Sequence, residues 1–203
     1  MSSKTILHSA KYKISTQHRH INLLFDNCAQ SSIITEDCAK ELDLNICENP
    51  NQKLIVRTLT RNEPKPSKHA NLEIHGTIFH LKVIDVNLMV ESPKIELQKV
   101  WPSLEDKLRT EVESNLVCGT VDMMIGIDTL YSKAKYNSAF NHPELGLQIA
   151  STLFGNTLGG ILDTREDNID HPIKLRALTT LLVDNKNSTK VAASYSLKNT
   201  NQR

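Results

Sequence analysis

Apolar and polar positions divide the chain into short blocks. Lys11 to Ser15 alternates and predicts an edge strand, and the compact apolar run Ile21 to Phe25 predicts a buried one. That run ends at Asp26. Small and polar residues follow before apolar character returns, and extended structure is expected from Ser32 to Ile34. Thr35 offers a hydroxyl to the free amides of a first helical turn, and Glu36 and Asp37 suit the positive end of a helix dipole. Ile34, Cys38 and Leu42 share one face, so a short amphipathic helix is expected to about Glu41.

Further on, Leu54 to Leu59 predicts a strand, and the polar, proline-bearing stretch Thr60 to Ser67 predicts a loop. Ala70 to His75 and Thr77 to Val86 form a hairpin pattern hinged at Gly76. Ile78, His80 and Lys82 fall on its open face and Phe79, Leu81 and Val83 on its covered face. From Leu97 to Leu116 the period turns helical, with Ser103 as cap, Glu105 and Asp106 in the first turn, and a stripe of Leu104, Leu108, Val112 and Leu116. Val121 to Ile125 predicts a strand ending at Gly126, Thr129 to Lys135 the start of a helix, and Thr152 to Leu162 a closing β segment. After Asp163 the chain is polar except for an apolar island, Leu175 to Val183, placed to pair with the body as strand or helix. The pattern predicts a mainly β body over 21–162 with a few helices. It is flanked by an N-terminal extension, 1–20, and a largely flexible C-terminal one, 163–203.

At 203 residues the chain suits one domain of ordinary size. Lys and Arg number 24 against 23 Asp and Glu, so no net field favours nucleic acid or an anionic membrane. The basic cluster His18-Arg19-His20 reads as a solvated turn. No stretch reaches the ~20 apolar residues that cross a bilayer. The first residues, Met1 to His8, lack the apolar core of a signal peptide, and the expectation is an intracellular, cytoplasmic protein. Cys28, Cys38, Cys47 and Cys118 form no Cys-x-x-Cys pair and are expected to be reduced thiols. The histidines, His75 and His80 on the hairpin included, lack the spacing of a zinc site, so neither metal nor cofactor is expected.

Candidate chemistry concentrates in two segments. The first is Leu23-Leu24-Phe25-Asp26-Asn27-Cys28-Ala29. A strand end holds a carboxylate rigidly, and small residues beside it let another chain approach. Taken alone, Asp26 also suits a turn or a helix cap, and Cys28 a small buried side chain. As a nucleophile Cys28 lacks a histidine placed by sequence to activate it. The second segment is Met124-Ile125-Gly126-Ile127-Asp128-Thr129-Leu130, where Asp128 also suits a cap at Thr129.

The first segment resembles the Asp-Thr/Ser-Gly-Ala turn of aspartic peptidases. The second resembles the hydrophobic-hydrophobic-Gly segment of retropepsins with its following x-Asp-x-Leu. From Ile21 to Leu162 the chain resembles the aspartic peptidase domain of Pao/BEL-type retrotransposon polyproteins. The likeness takes in Gln30-Ser31-Ser32-Ile33-Ile34-Thr35, the short helix after it, the long insertion before Met124, and Thr152-Leu153-Phe154-Gly155 with Gly159-Gly160.

The resemblance implies a retropepsin-like closed β fold, half of an aspartic peptidase, with an inserted helix near 103–116. It implies Asp26 as the catalytic residue and Asn27, Cys28 and Ala29 as the active-site loop. Ile125, Gly126 and Asp128 would support that loop, with no metal, a homodimer, and a peptide or polyprotein substrate. Two loop positions depart from the family. Asn27 stands where a Thr or Ser hydroxyl bonds across the dimer. Cys28 stands where glycine leaves room for substrate and frees the backbone angles. The flap region, Thr60 to Ser67, also lacks glycine. Two functions therefore follow from the sequence: an endopeptidase with paired Asp26, or a catalytically dead or domesticated module that binds peptide or protein.

Overall fold

In a computed structural model of the chain, the structure describes residues 3–14, 19–57, 64–85, 88–90, 95–143, 145–163 and 182–184. The chain is mainly β with a few short helices. It opens with β1 (Ser3–Ile6) and β2 (Ser9–Ile14), followed by β3 (Arg19–Phe25), which delivers Asp26 at its end. β2 forms one edge of an eight-stranded sheet and pairs antiparallel with β3. Ile21, Leu23 and Phe25 point from β3 into one core, and Leu24 points into another. This two-sided burial explains why the run reads as continuously apolar.

Next come β4 (Ile33–Thr35) and α1 (Glu36–Glu41). The Thr35 hydroxyl accepts the Cys38 N–H at 3.3 Å, and Cys38 and Leu42 are buried, as the sequence pattern requires. Glu36 pairs with Lys40 on its own helix and with Lys68 across the sheet.

β5 (Cys47–Arg57), β6 (Pro64–Ile74) and β7 (Thr77–Ile84) follow. The expected strand from Leu54 is the last part of β5, which starts at Cys47; residues 58–63 lie outside the described residues. Pro64 to Ser67, expected in a loop, belong instead to β6. Among the described residues β7 reaches β6 no further than Lys68, and no ladder partner is described on that side of residues 64–67. Prolines are tolerated where a ladder donor is not required. The β6–β7 turn places both His75 (φ 49°) and Gly76 (φ 71°) in the left-handed region, the form that suits a two-residue hairpin.

The insertion holds β8 (Leu88–Val90), α2 (Leu97–Val100), α3 (Asp106–Asn115) and β9 (Gly119–Val121). The single helical stretch expected over 97–116, capped by Ser103, is two helices. Pro102 lacks the N–H that would continue α2, and it drives Trp101 toward extended angles (φ −131°, ψ 77°). Glu105, not Ser103, is the cap residue of α3, and its side chain makes no capping bond.

β10 (Met123–Ile125) and α4 (Ile127–Leu130) carry the second motif. Asp122 interrupts the strand expected over Val121 to Ile125. The helix expected from Thr129 starts at Ile127 and lasts one turn. β11 (Asn137–His142), β12 (Leu147–Thr152) and β13 (Gly155–Asp163) then form a four-stranded sheet with β1. Of the 175–183 island and the residues after Asp163, only β14 (Leu182–Asp184) is described; it pairs with β5.

The large sheet runs β14-β5-β6-β7-β4-β10-β3-β2. One face carries a core of Leu23, Phe25, Ile34, Phe79 and Met123, with Leu130 and Phe154 packed against it. The other carries Leu24, Ile33, Ile84 and Met124 beneath Val90, Val117 and Val121 of the insertion. A third core joins Leu97, Trp101 and Val112 to Ile149 and Leu158 of the small sheet. No helix among the described residues is long and apolar enough to cross a membrane.

Candidate functional site

β3 ends in a tight turn. The Asp26 N–H donates to Ile125 O at 3.0 Å, and the Ala29 N–H donates to Asp26 O at 3.3 Å, which leaves Asn27 and Cys28 at the exposed corner. The Cys28 N–H donates to Asp26 Oδ1 at 2.8 Å, so the carboxylate fastens its own turn, as Asp commonly does. Burial pushes the Asp26 carboxyl above the ordinary carboxylate range, against the opposing pull of the Cys28 and Ala29 backbone N–H groups. Such a carboxyl takes up a proton more readily than a free Asp.

Cys28 is exposed, and its thiol lies 3.4 Å from Asn27 Oδ1. Burial, and then the charge of Asp26, push its pKa up, so it stays a thiol rather than a nucleophilic thiolate. Asp43, His75 and Lys135 are the non-glycine residues with positive φ among those described. Cys28 is not one of them, so the backbone does not require glycine there. The departure at 28 is one of side-chain bulk alone.

The other limb of the loop crosses the second motif. β10 lies between β3 and β4, parallel to the first (Met124 beside Leu24, Ile125 beside Phe25) and antiparallel to the second (Met124 beside Ile33). The strands before and after Asp26 therefore do not pair with each other. β10 is threaded between them, and the loop passes over Gly126. A Cβ on Gly126 would lie 2.6 Å from Ser31 C, 2.7 Å from Ser31 O and 2.9 Å from Ala29 O, so no other residue fits without moving backbone. The Ile127 N–H donates to Ala29 O at 2.8 Å.

Ser32 is fully buried beneath this crossing. Its hydroxyl accepts from Gly126 N–H at 2.9 Å, donates to Asp128 Oδ1 at 2.7 Å and touches the Thr129 hydroxyl. Its N–H donates to both oxygens of Asp128, at 3.0 and 3.1 Å. Below the loop, Thr35 N–H donates to Asp122 O and Asp122 N–H to Asn22 O, while Asn22 N–H reaches Asp122 Oδ2 at 2.8 Å.

All seven residues singled out in the sequence thus meet in one place. Asp26, Asn27, Cys28 and Ala29 form the turn, and Ile125, Gly126 and Asp128 lie against it. Sequence reasoning missed Ser32, Asn22 and Asp122, because nothing local separates Ser32 from Ser31 and the bonds that matter span about half the chain. Among the described residues no three His, Cys, Asp or Glu side chains converge to hold a metal. Compared with known proteins, the chain matches no family model and no curated protein.

Proposed function

We propose that the chain is a retropepsin-like aspartic endopeptidase domain of the Pao/BEL type, a half-enzyme that acts as a homodimer. The observation that carries the reading is the half-buried Asp26 carboxyl at a strand end, with β10 and Gly126 threaded beneath its loop. One chain supplies one such carboxyl, so two chains meet to form the site. Two carboxylates ~3 Å apart do not both ionise, and one proton is shared. The ionised carboxylate takes a proton from water as the oxygen attacks the scissile carbonyl. The protonated one donates to the carbonyl oxygen, and the pair titrates as a unit. Ser32, Asp128 and Gly126 act on neither water nor peptide; they hold the loop that aims Asp26.

The second reading is a catalytically silent module that binds peptide or protein through the same face. The side chains at 27 and 28 favour it, since Asn27 Oδ1 faces the Cys28 thiol rather than standing free for a neighbouring loop. The test is cleavage of a broad peptide library at mildly acidic pH, with and without pepstatin, beside Asp26→Ala. Pepstatin-sensitive cleavage lost in the variant supports the peptidase. Equal cleavage in both proteins, or none in either, excludes it.

A further inference from the structure

Two large apolar side chains stand exposed beside the Asp26 loop. Among the described residues the exposed large apolar side chains are Ile78, Met89, Ile127, Tyr131 and Phe140, and only Ile127 and Tyr131 share an element. Ile127 opens α4 and Tyr131 is its C-terminal cap residue, four positions on, so both fall on one face of the turn. Thr129 and Leu130, between them, are buried. Tyr131 sits edge-on to Tyr136 with ring centres 6.1 Å apart, and Tyr136 packs on Phe25 at 6.0 Å. The Tyr131 ring is thus braced from the strand that delivers Asp26, and it gives up little freedom when covered.

Backbone bonds fix how near this face lies to the carboxyl. The Ala29 N–H donates to Asp26 O at 3.3 Å, and the Ile127 N–H donates to Ala29 O at 2.8 Å. Two hydrogen bonds and one residue place the Ile127 backbone on the order of 10 Å from that of Asp26. Two Asp26 carboxyls share a proton only when ~3 Å apart, so a pair of chains that joins them also brings the two α4 turns alongside.

Charge selects the occupant. In a two-fold contact the same surface serves both partners, so a charged patch meets a patch of its own sign. The exposed loop residues Asn27, Cys28 and Gln30 carry no charge, nor do Ile127 and Tyr131. Asp128, the carboxylate of α4, is engaged by the N–H and hydroxyl of Ser32. Lys133 donates to Ile78 O at 2.7 Å. A neutral, partly apolar face beside a lone carboxyl fits a second copy of this chain better than a charged partner.

We propose that Ile127 and Tyr131 form the apolar contact by which two copies of the chain hold their Asp26 loops together, with the two Ile127 side chains within reach of each other across the two-fold axis. The choice of a second copy rests on the half-enzyme reading; the contact itself requires no cleavage.

The test is sedimentation velocity of the full chain over a concentration series at pH 7. Ile127→Glu and Ile127→Lys, each alone, set like charges across the axis and should weaken self-association by about a hundredfold. Mixed in equal amounts, the two variants should recover a heterodimer, which a variant that had failed to fold would not do. Tyr131→Ser should weaken association by about tenfold. Association unchanged by Ile127→Glu or by Tyr131→Ser, or a mixture as monomeric as its parts, overturns the proposal. A chain that is monomeric throughout the series overturns it too, and removes the half-enzyme reading with it. If association fails in the charged variants and returns in their mixture, while cleavage is absent or survives Asp26→Ala, the contact stands and the peptidase reading fails. If pepstatin-sensitive cleavage is lost in Asp26→Ala and Ile127→Glu still dimerises normally, the peptidase reading stands and the contact fails.

Discussion

The Asp128 carboxylate accepts both the N–H and the hydroxyl of Ser32, so the first turn of α4 holds the far limb of the Asp26 loop. The same hydroxyl satisfies Gly126 N–H at 2.9 Å, and all of these groups lie at the crossing of two chain segments. Ser32→Ala removes a fully buried hydroxyl and leaves that N–H and the Thr129 hydroxyl without it. The expected loss is about 1–3 kcal/mol of folding stability, read from urea denaturation. Asp128→Asn keeps the size but loses acceptor capacity, and a smaller loss is expected. Two wild-type-like midpoints would show that the crossing is held by packing alone.

Gly126→Ala tests the crossing itself. The added methyl would sit within 2.9 Å of three backbone atoms of Ala29 and Ser31, and backbone cannot swing aside as a flexible side chain can. A destabilisation of about 1–3 kcal/mol is expected from overpacking, with Asp26 displaced. Gly76→Ala makes a useful contrast. Its Cβ would meet open space, and its cost comes from the positive φ of 71° instead.

Stability should fall on the acid side because of His8. Its partly buried ring lies against Thr157 Oγ1 (3.0 Å) and edge-on to Tyr136, and burial lowers its pKa from 6.5 to about 4 despite the opposing pull of a side-chain bond to Gln148. Below pH 6.5 the unfolded chain binds a proton that the folded chain refuses. Stability is therefore complete above pH 6.5, declines toward about 4 and levels off below that. The full loss is about 3 kcal/mol. His8 O also accepts the Phe25 N–H at 2.9 Å, next to Asp26, so the decline reaches the site just where peptidase assays are run. His8→Gln should flatten the pH dependence of the urea midpoint between 7 and 4.5. An unchanged slope would clear His8 of this role.

Asp26 has the opposite sign. A carboxyl whose folded pKa is raised contributes most below its unfolded pKa, and the contribution is lost as pH rises through the folded value. At pH 7 the ionised, half-buried group is a liability. Asp26→Asn retains an acceptor for the Cys28 N–H and should raise stability by about 0.5–2 kcal/mol at neutral pH, less at pH 4, measured by thermal unfolding.

What the sequence makes legible is local. The Thr35 cap, the Phe79, Leu81 and Val83 alternation, and the apolar run into Asp26 each follow from neighbours in the chain. The pairing of β1 with β13 and the exposed strand β11 carry no such signal, because they are fixed by partners far away. Pro102 sits where a cap is expected to follow, yet its missing N–H ends one helix and separates it from the next. The two motifs at Asp26 and Gly126 are visible in the sequence in their order. Their physical link, through Ser32 and an atom-tight glycine, is not, since it joins residues more than ninety positions apart.

The last prediction concerns the two altered loop positions. Because Cys28 is not in the positive-φ region, Cys28→Gly relieves no left-handed strain; it removes a side chain from the exposed corner beside Asp26. Asn27→Thr replaces an amide that faces the Cys28 thiol with a short hydroxyl able to bond to a partner loop. If bulk and the lost hydroxyl are what hold cleavage down, the double variant should raise kcat/KM at least tenfold, equivalent to about 1.4 kcal/mol of transition-state stabilisation. The gain should need both changes, since glycine clears space and threonine fixes the dimer register. It should also come with tighter association by sedimentation. A double variant that associates more tightly yet cleaves no better would place the defect outside the loop, and one that does neither would favour the silent binding module.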